Sequence, residues 1–137
     1  ADLRPSSETT AVVGAETAGS GTATVTFVNT KDSAGNITSA TATFVVVMSN
    51  FPAGTTLTGA HIHPGAAGVA GGVVISSAIG VGEVVLANGS GSFTKAAITV
   101  DAALAQNIQT NPAGFYFNIH TAANAGGVAR GQLVKVQ

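Results

Sequence analysis

The chain has 137 residues and a formal charge of −1 at pH 7, and 8% of its residues are charged, against about 25% in typical soluble domains. Arg4, Lys31, Lys95, Arg130 and Lys135 are scattered, so no basic run tracks a phosphate backbone and nucleic acid is not an expected partner. Cysteine is absent, which removes disulfides, thiolate ligands and thiol nucleophiles together.

In chain order, the opening Ala1-Asp2-Leu3 lacks an initiator methionine and an apolar leader. With low charge and many Thr, Gly and Ala, this start reads as a secreted protein, periplasmic or extracellular, whose signal peptide has been removed; a trimmed fragment would begin the same way. No run of about 20 apolar residues is present, so no transmembrane helix is expected. The length fits one domain over residues 1–137, with residues 1–7 expected to be loosely tied.

Residues 22–28, TATVTFV, alternate, placing Ala23, Val25 and Phe27 on one face and threonines on the other. The cluster NTKDSAGN is turn chemistry, and residues 37–48 form a β-branched partner strand, completing a hairpin. After the break at Pro52 and Gly54, residues 58–63 resume an extended pattern. The stretch PGAAGVAGG, residues 64–72, is too rich in glycine for a helix and is expected to be a surface loop. Short strands follow at 73–76 and 82–86, then the turn NGSG and a strand at 92–100. Asp101 is placed to cap a short helix over 102–108, with Leu104 and Ile108 on one face. Strands at 115–120 and 128–136 end the chain. This pattern predicts an all-β fold: an antiparallel Greek-key sandwich or flattened barrel of about 7–9 strands with one short helix.

The chemistry concentrates in GAHIHPGAAG, residues 59–68, which holds two of the three histidines. On an extended strand Ile62 faces the core, and His61 and His63 share the opposite face, about 6.6–7 Å apart along the backbone. In FYFNIH, residues 115–120, the apolar face is Phe115, Phe117 and Ile119, so Tyr116, Asn118 and His120 take the other. All three imidazoles are therefore expected to point away from the core. Two histidines at i and i+2, met by a third from another strand, can hold zinc or copper with one position open. Equally, the rings can fix the glycine-rich loop by hydrogen bonds to its backbone, or form a metal-free binding face. The nearest acidic residues in sequence are Glu83 and Asp101. Arg130 has two readings, an anion contact near His120 or hydrogen bonds to loop carbonyls. Tyr116 and Asn118 are candidates to orient the histidines from behind.

These residues resemble the CHRD domain, a module first described in chordin and found in many secreted bacterial proteins. His61-Ile62-His63 before a Gly/Pro/Ala loop matches its first motif. Tyr116, Asn118, His120 and Thr121 match Y-x-N-x-H-T. Asn124, Gly127, Arg130, Gly131, Gln132 and Leu133 match N-P-x-G-E-I-R-G-Q-L. Ala125 stands where that family has proline, Val128-Ala129 replaces Glu-Ile, and Pro64-Gly65 inverts the usual Gly-Pro. A weaker resemblance to copper/zinc superoxide dismutase lies in the H-x-H strand and in NAGGVAR, residues 124–130. Three histidines and no cysteine fall short of that enzyme's two-metal, disulfide-bonded site.

The resemblance implies a secreted CHRD-like domain with a superoxide-dismutase-like fold. Its leading function is a copper- or zinc-binding module built on His61, His63 and His120, with Tyr116, Asn118 and Arg130 supporting that site or binding an anion. No organic cofactor is expected and no reaction is assigned, so a binding module is preferred over an enzyme. The alternatives are a mononuclear copper redox enzyme and a structural or adhesive module that binds an extracellular or cell-surface protein through a metal-free histidine network.

Overall fold

A computed structural model describes residues 1–136. Within them the chain forms nine strands and one α-helix. The strands are β1 (Asp2–Leu3), β2 (Ser20–Lys31), β3 (Ile37–Ser49), β4 (Thr55–Pro64), β5 (Ile75–Ser76), β6 (Val85–Leu86), β7 (Gly91–Val100), β8 (Phe115–Thr121) and β9 (Ala129–Gln132). The helix α1 (Ala102–Thr110) starts at Asp101, whose Oδ1 accepts from the Leu104 N–H.

Two antiparallel sheets enclose the core. One has the order β1-β2-β3-β7. The other runs β5-β4-β8-β9, with β6 also on β4. The β2–β3 hairpin keeps its register from Ser20↔Ser49 to Thr30↔Ser39, as the alternation of TATVTFV requires. Phe44, Val46 and Met48 from β3 meet Leu57, Ile62, Phe117 and Ile119 across the interface, and Phe44 and Phe117 lie 5.9 Å apart between ring centroids. Burial of such side chains, about 1.5–3 kcal/mol each, is the main force closing the sandwich.

Residues 1–7, expected to be loosely tied, are anchored instead. Leu3 is fully buried, β1 pairs with β2, and Arg4 exchanges two backbone hydrogen bonds with Arg130 at 3.0 and 3.1 Å. β1 thereby joins the edge of one sheet to β9 at the edge of the other. Gly131 permits this contact, since a Cβ there would lie 2.2 Å from the Asp2 carbonyl oxygen. The expected last strand, 128–136, is shorter: β9 ends at Gln132, beyond which only the Leu133 N–H continues the pairing, to Phe115 O. The expected short strands at 73–76 and 82–86 likewise reduce to two residues each.

Candidate metal centre

The centre of the second sheet sets the site. Register pairs Gly59 with His120, His61 with Asn118, and His63 with Tyr116. Ile62, Phe117 and Ile119 are fully buried in the core, so His61, His63, Tyr116, Asn118 and His120 share the opposite face, as alternation predicts. The rings converge. Ring centroids lie 4.9 Å apart for His61 and His120, 5.8 Å for His61 and His63, and 6.1 Å for His63 and His120. One ring nitrogen from each histidine lies within 4.8 Å of the other two.

The face is not open to water in the way its position in the sheet suggests. His63 is 6% exposed and Tyr116 3%, because the loop over residues 64–74 folds across them, and Asn118 is 2% exposed beside Glu8 and Gly127. Gly71 is the point of attachment. His63 Nδ1 donates to Gly71 O at 2.9 Å, and the Gly71 N–H donates to Tyr116 Oη at 3.2 Å. Gly71 packs so tightly that a Cβ would fall 1.9 Å from Pro64 O.

Arg130 completes the clamp from below. Its guanidinium carbon lies 3.4 Å from the centre of the Tyr116 ring, and Tyr116 in turn stacks on His63 at 4.8 Å with planes 3° apart. Nη2 donates to Ala66 O at 2.8 Å and to Val69 O at 2.9 Å, while Gln132 Nε2 donates to Gly65 O at 2.9 Å. Arg130 is 1% exposed; Nη2 also contacts Gln132 Oε1 at 3.1 Å, and Nη1 is buried without a partner among the described residues. Planarity, charge and several donors in one plane suit arginine to this combination of stacking and bridging.

Hydrogen bonding sets the tautomer of His63. A carbonyl can only accept, so His63 carries its proton on Nδ1 and leaves Nε2 as a lone pair; that atom is buried without a partner, as is His61 Nδ1. His120 faces two acceptor oxygens, Ala125 O at 2.9 Å from Nδ1 and Asn118 Oδ1 at 3.0 Å from Nε2, and a neutral ring donates to one of them at a time. Desolvation, followed by repulsion from His120 and His63, pushes the His61 pKa down to about 4. Desolvation also lowers that of His120, against the opposing hydrogen bond to Ala125. Both groups are therefore neutral at pH 7, the state in which imidazole binds metal.

The acidic group nearest this cluster is neither Glu83 nor Asp101. Glu83 pairs with Lys95 and accepts from the Gly80 N–H, and Asp101 caps α1. Instead Glu8 approaches the far side of Asn118, with Oε1 3.4 Å from Asn118 Nδ2. Burial raises the Glu8 pKa to about 7, opposed by that hydrogen bond and by the charge of Arg130. An ionised Glu8 accepts from the Asn118 NH2 group, whereas a protonated Glu8 can donate to its carbonyl.

Sequence reasoning missed Glu8, Gly71 and Glu16. Glu16 Oε2 accepts from Thr121 Oγ1 and Asn124 Nδ2, both at 2.7 Å, and Asn124 Oδ1 accepts from the Val13 N–H at 2.9 Å. These contacts lash residues 13–16 to the turn that presents Ala125 to His120. No periodic signal announces a partner more than 100 residues away. Asn124 in the NAGG motif is the one sequence feature that pointed there.

Fold and site together define a β-sandwich domain with three convergent histidines under a clamped glycine-rich loop. The CHRD domain model matches residues 1–133, and the chain belongs to that family. No curated protein and no solved structure matches it. The residues shared with the family motifs now have positions: histidines at the cluster, Tyr116 and Arg130 in the stack behind them, Asn124 in the turn, Gly131 against β1, and Gln132 on the loop.

Proposed function

We propose that this CHRD domain is a secreted metal-binding module that holds one copper or zinc ion through His61, His63 and His120. The observation that carries the reading is the pair of buried ring nitrogens, His61 Nδ1 and His63 Nε2, that no protein group among the described residues satisfies. Such atoms cost about 1–3 kcal/mol each when left unpaired, and an ion compensates them directly. The donor set fits: neutral nitrogen ligands with no thiolate suit copper(II) or zinc, and the backbone carbonyls of Gly71 and Ala125 orient His63 and His120 from behind.

Two nitrogens on one tetrahedral ion stand roughly 3.3 Å apart, so binding requires contraction from the present 4.8 Å. The half-buried rings of His61 and His120 supply it by side-chain rotation, while His63 stays fixed in its stack. Tyr116, Asn118 and Arg130 act as positioning residues. The bound ion would be a Lewis acid, or for copper a redox centre; the chain itself supplies orientation and a partly dry environment.

Isothermal titration with Cu(II) and Zn(II), on wild type and on His120→Ala, tests the reading. One ion per wild-type chain is expected, with at least tenfold weaker binding by the variant. Equal and negligible uptake by both proteins overturns it and leaves the histidines as a hydrogen-bonding network for the loop.

A further inference from the structure

Two rings of the cluster lie closer together than their places in the sheet require. The ladder sets Gly59 opposite His120 and His61 opposite Asn118, so His61 and His120 are diagonal neighbours. Diagonal positions of an antiparallel pair stand about 7–8 Å apart, yet these two rings approach to 4.9 Å between centroids. The place directly opposite His120 belongs to Gly59, which has no side chain to fill it.

The His61 ring fills it instead. A Cβ on Gly59 would lie 2.7 Å from His61 Cε1, 3.2 Å from Nε2 and 3.7 Å from Nδ1, and these are its three nearest neighbours. Gly59 is on the same strand face as His61 and His63, and it is nevertheless buried, beneath that imidazole. Backbone conformation does not account for the glycine. Gly54, Gly65 and Gly68 have positive φ, but Gly59 does not, so its backbone suits any residue. What position 59 requires is space.

We propose that Gly59 is a positioning residue for the histidine cluster, its missing side chain being the place in which the His61 imidazole lies to reach His120. The proposal rests on the metal-binding reading for what the cluster does, and on the ladder alone for how it assembles. Carbon atoms in contact stand about 3.5–4.0 Å apart, so a methyl group at position 59 must drive the ring away. His61 is only half-buried, and its ring can swing toward water without disturbing Ala60 and Ile62, which hold β4 in the core. His63 and His120 then remain, 6.1 Å apart between centroids, as a two-nitrogen site that holds zinc less firmly than three. Gly59 itself offers no ligand atom and acts only through His61.

Gly59→Ala, His61→Ala and the double variant test this, with Zn(II) as the probe. Each single change should weaken Zn(II) binding at least tenfold, and the double variant should bind no worse than His61→Ala. In the metal-free proteins, nuclear Overhauser contacts between the His61 and His120 rings are expected in wild type and lost in Gly59→Ala. A Gly59→Ala protein that keeps the ring contact overturns the proposal. A further loss of affinity in the double variant also overturns it, because Gly59 would then act through another group. Should Gly59→Ala fail to fold, urea midpoints of His61→Ala and the double variant decide. Equal midpoints support the proposal, since removing the ring leaves the methyl room, and a lower midpoint in the double variant overturns it. If wild type takes up no Zn(II), the metal-binding reading fails, and the ring contact in the metal-free proteins alone decides the role of Gly59.

Discussion

His61 and Glu8 carry opposite electrostatic signs into the same region. Burial lowers the His61 pKa to about 4, so the native state resists a proton that the unfolded chain accepts near 6.5. Stability from this source is present above pH 6.5 and is lost as pH falls toward 4. Glu8, raised to about 7 from 4.5, does the reverse: its contribution is full below pH 4.5 and is lost as pH rises through 7. Glu8→Gln should therefore be more stable than wild type at pH 8, by about 1 kcal/mol after solvent screening, with the gap closing by pH 4.5. Urea midpoints at the two pH values check this, and an equal gap at both would show that Glu8 is not the titrating group. The depressed His61 stays unprotonated at pH 5.5, where ordinary surface histidines are mostly protonated, so this ligand should not limit metal uptake there. Titration calorimetry at pH 5.5 should still detect binding by the wild-type chain.

Among the elements, the loop over 64–74 and strand β8 decide whether the histidines form a site. Alternation in HIH and FYFNIH placed all three rings on one face, and the antiparallel register of β4 and β8 brings them together. Their covering by the loop was not legible, because it depends on Gly71, Arg130 and Gln132 meeting from segments about 60 residues apart. Gly71→Ala should displace the loop from Pro64, break the His63 bond and lower metal affinity about tenfold. Titration calorimetry reads the affinity, and limited proteolysis within 64–74 reads the loop. Asp101→Ala serves as the contrast: loss of the α1 cap should cost about 1 kcal/mol in thermal stability and leave metal affinity unchanged.

At the scale of the whole molecule, the two sheets are joined at one edge by the first residues of the chain. Leu3 is fully buried between β2 and β9, so Leu3→Ala should destabilise the fold by about 2–5 kcal/mol in chemical denaturation. A small loss would mean that the two-residue strand is dispensable. If one ion binds the folded chain alone, metal at one hundred times its dissociation constant adds about 2.7 kcal/mol, visible as a higher melting temperature.

The strands, the hairpin, the helix cap and the common face of the three histidines were determined by the sequence itself, because alternation and turn chemistry act over a few neighbouring residues. Anchoring of residues 1–7, burial of Arg130, the approach of Glu8 to Asn118 and the early end of β9 were decided only by tertiary structure. Each depends on a partner distant in the chain, and a side chain's local pattern holds no information about which segment will cover it. The tail Leu133–Val136 shows the division most clearly: its residues favour a strand, but a strand forms only where a neighbour presents free hydrogen-bonding groups.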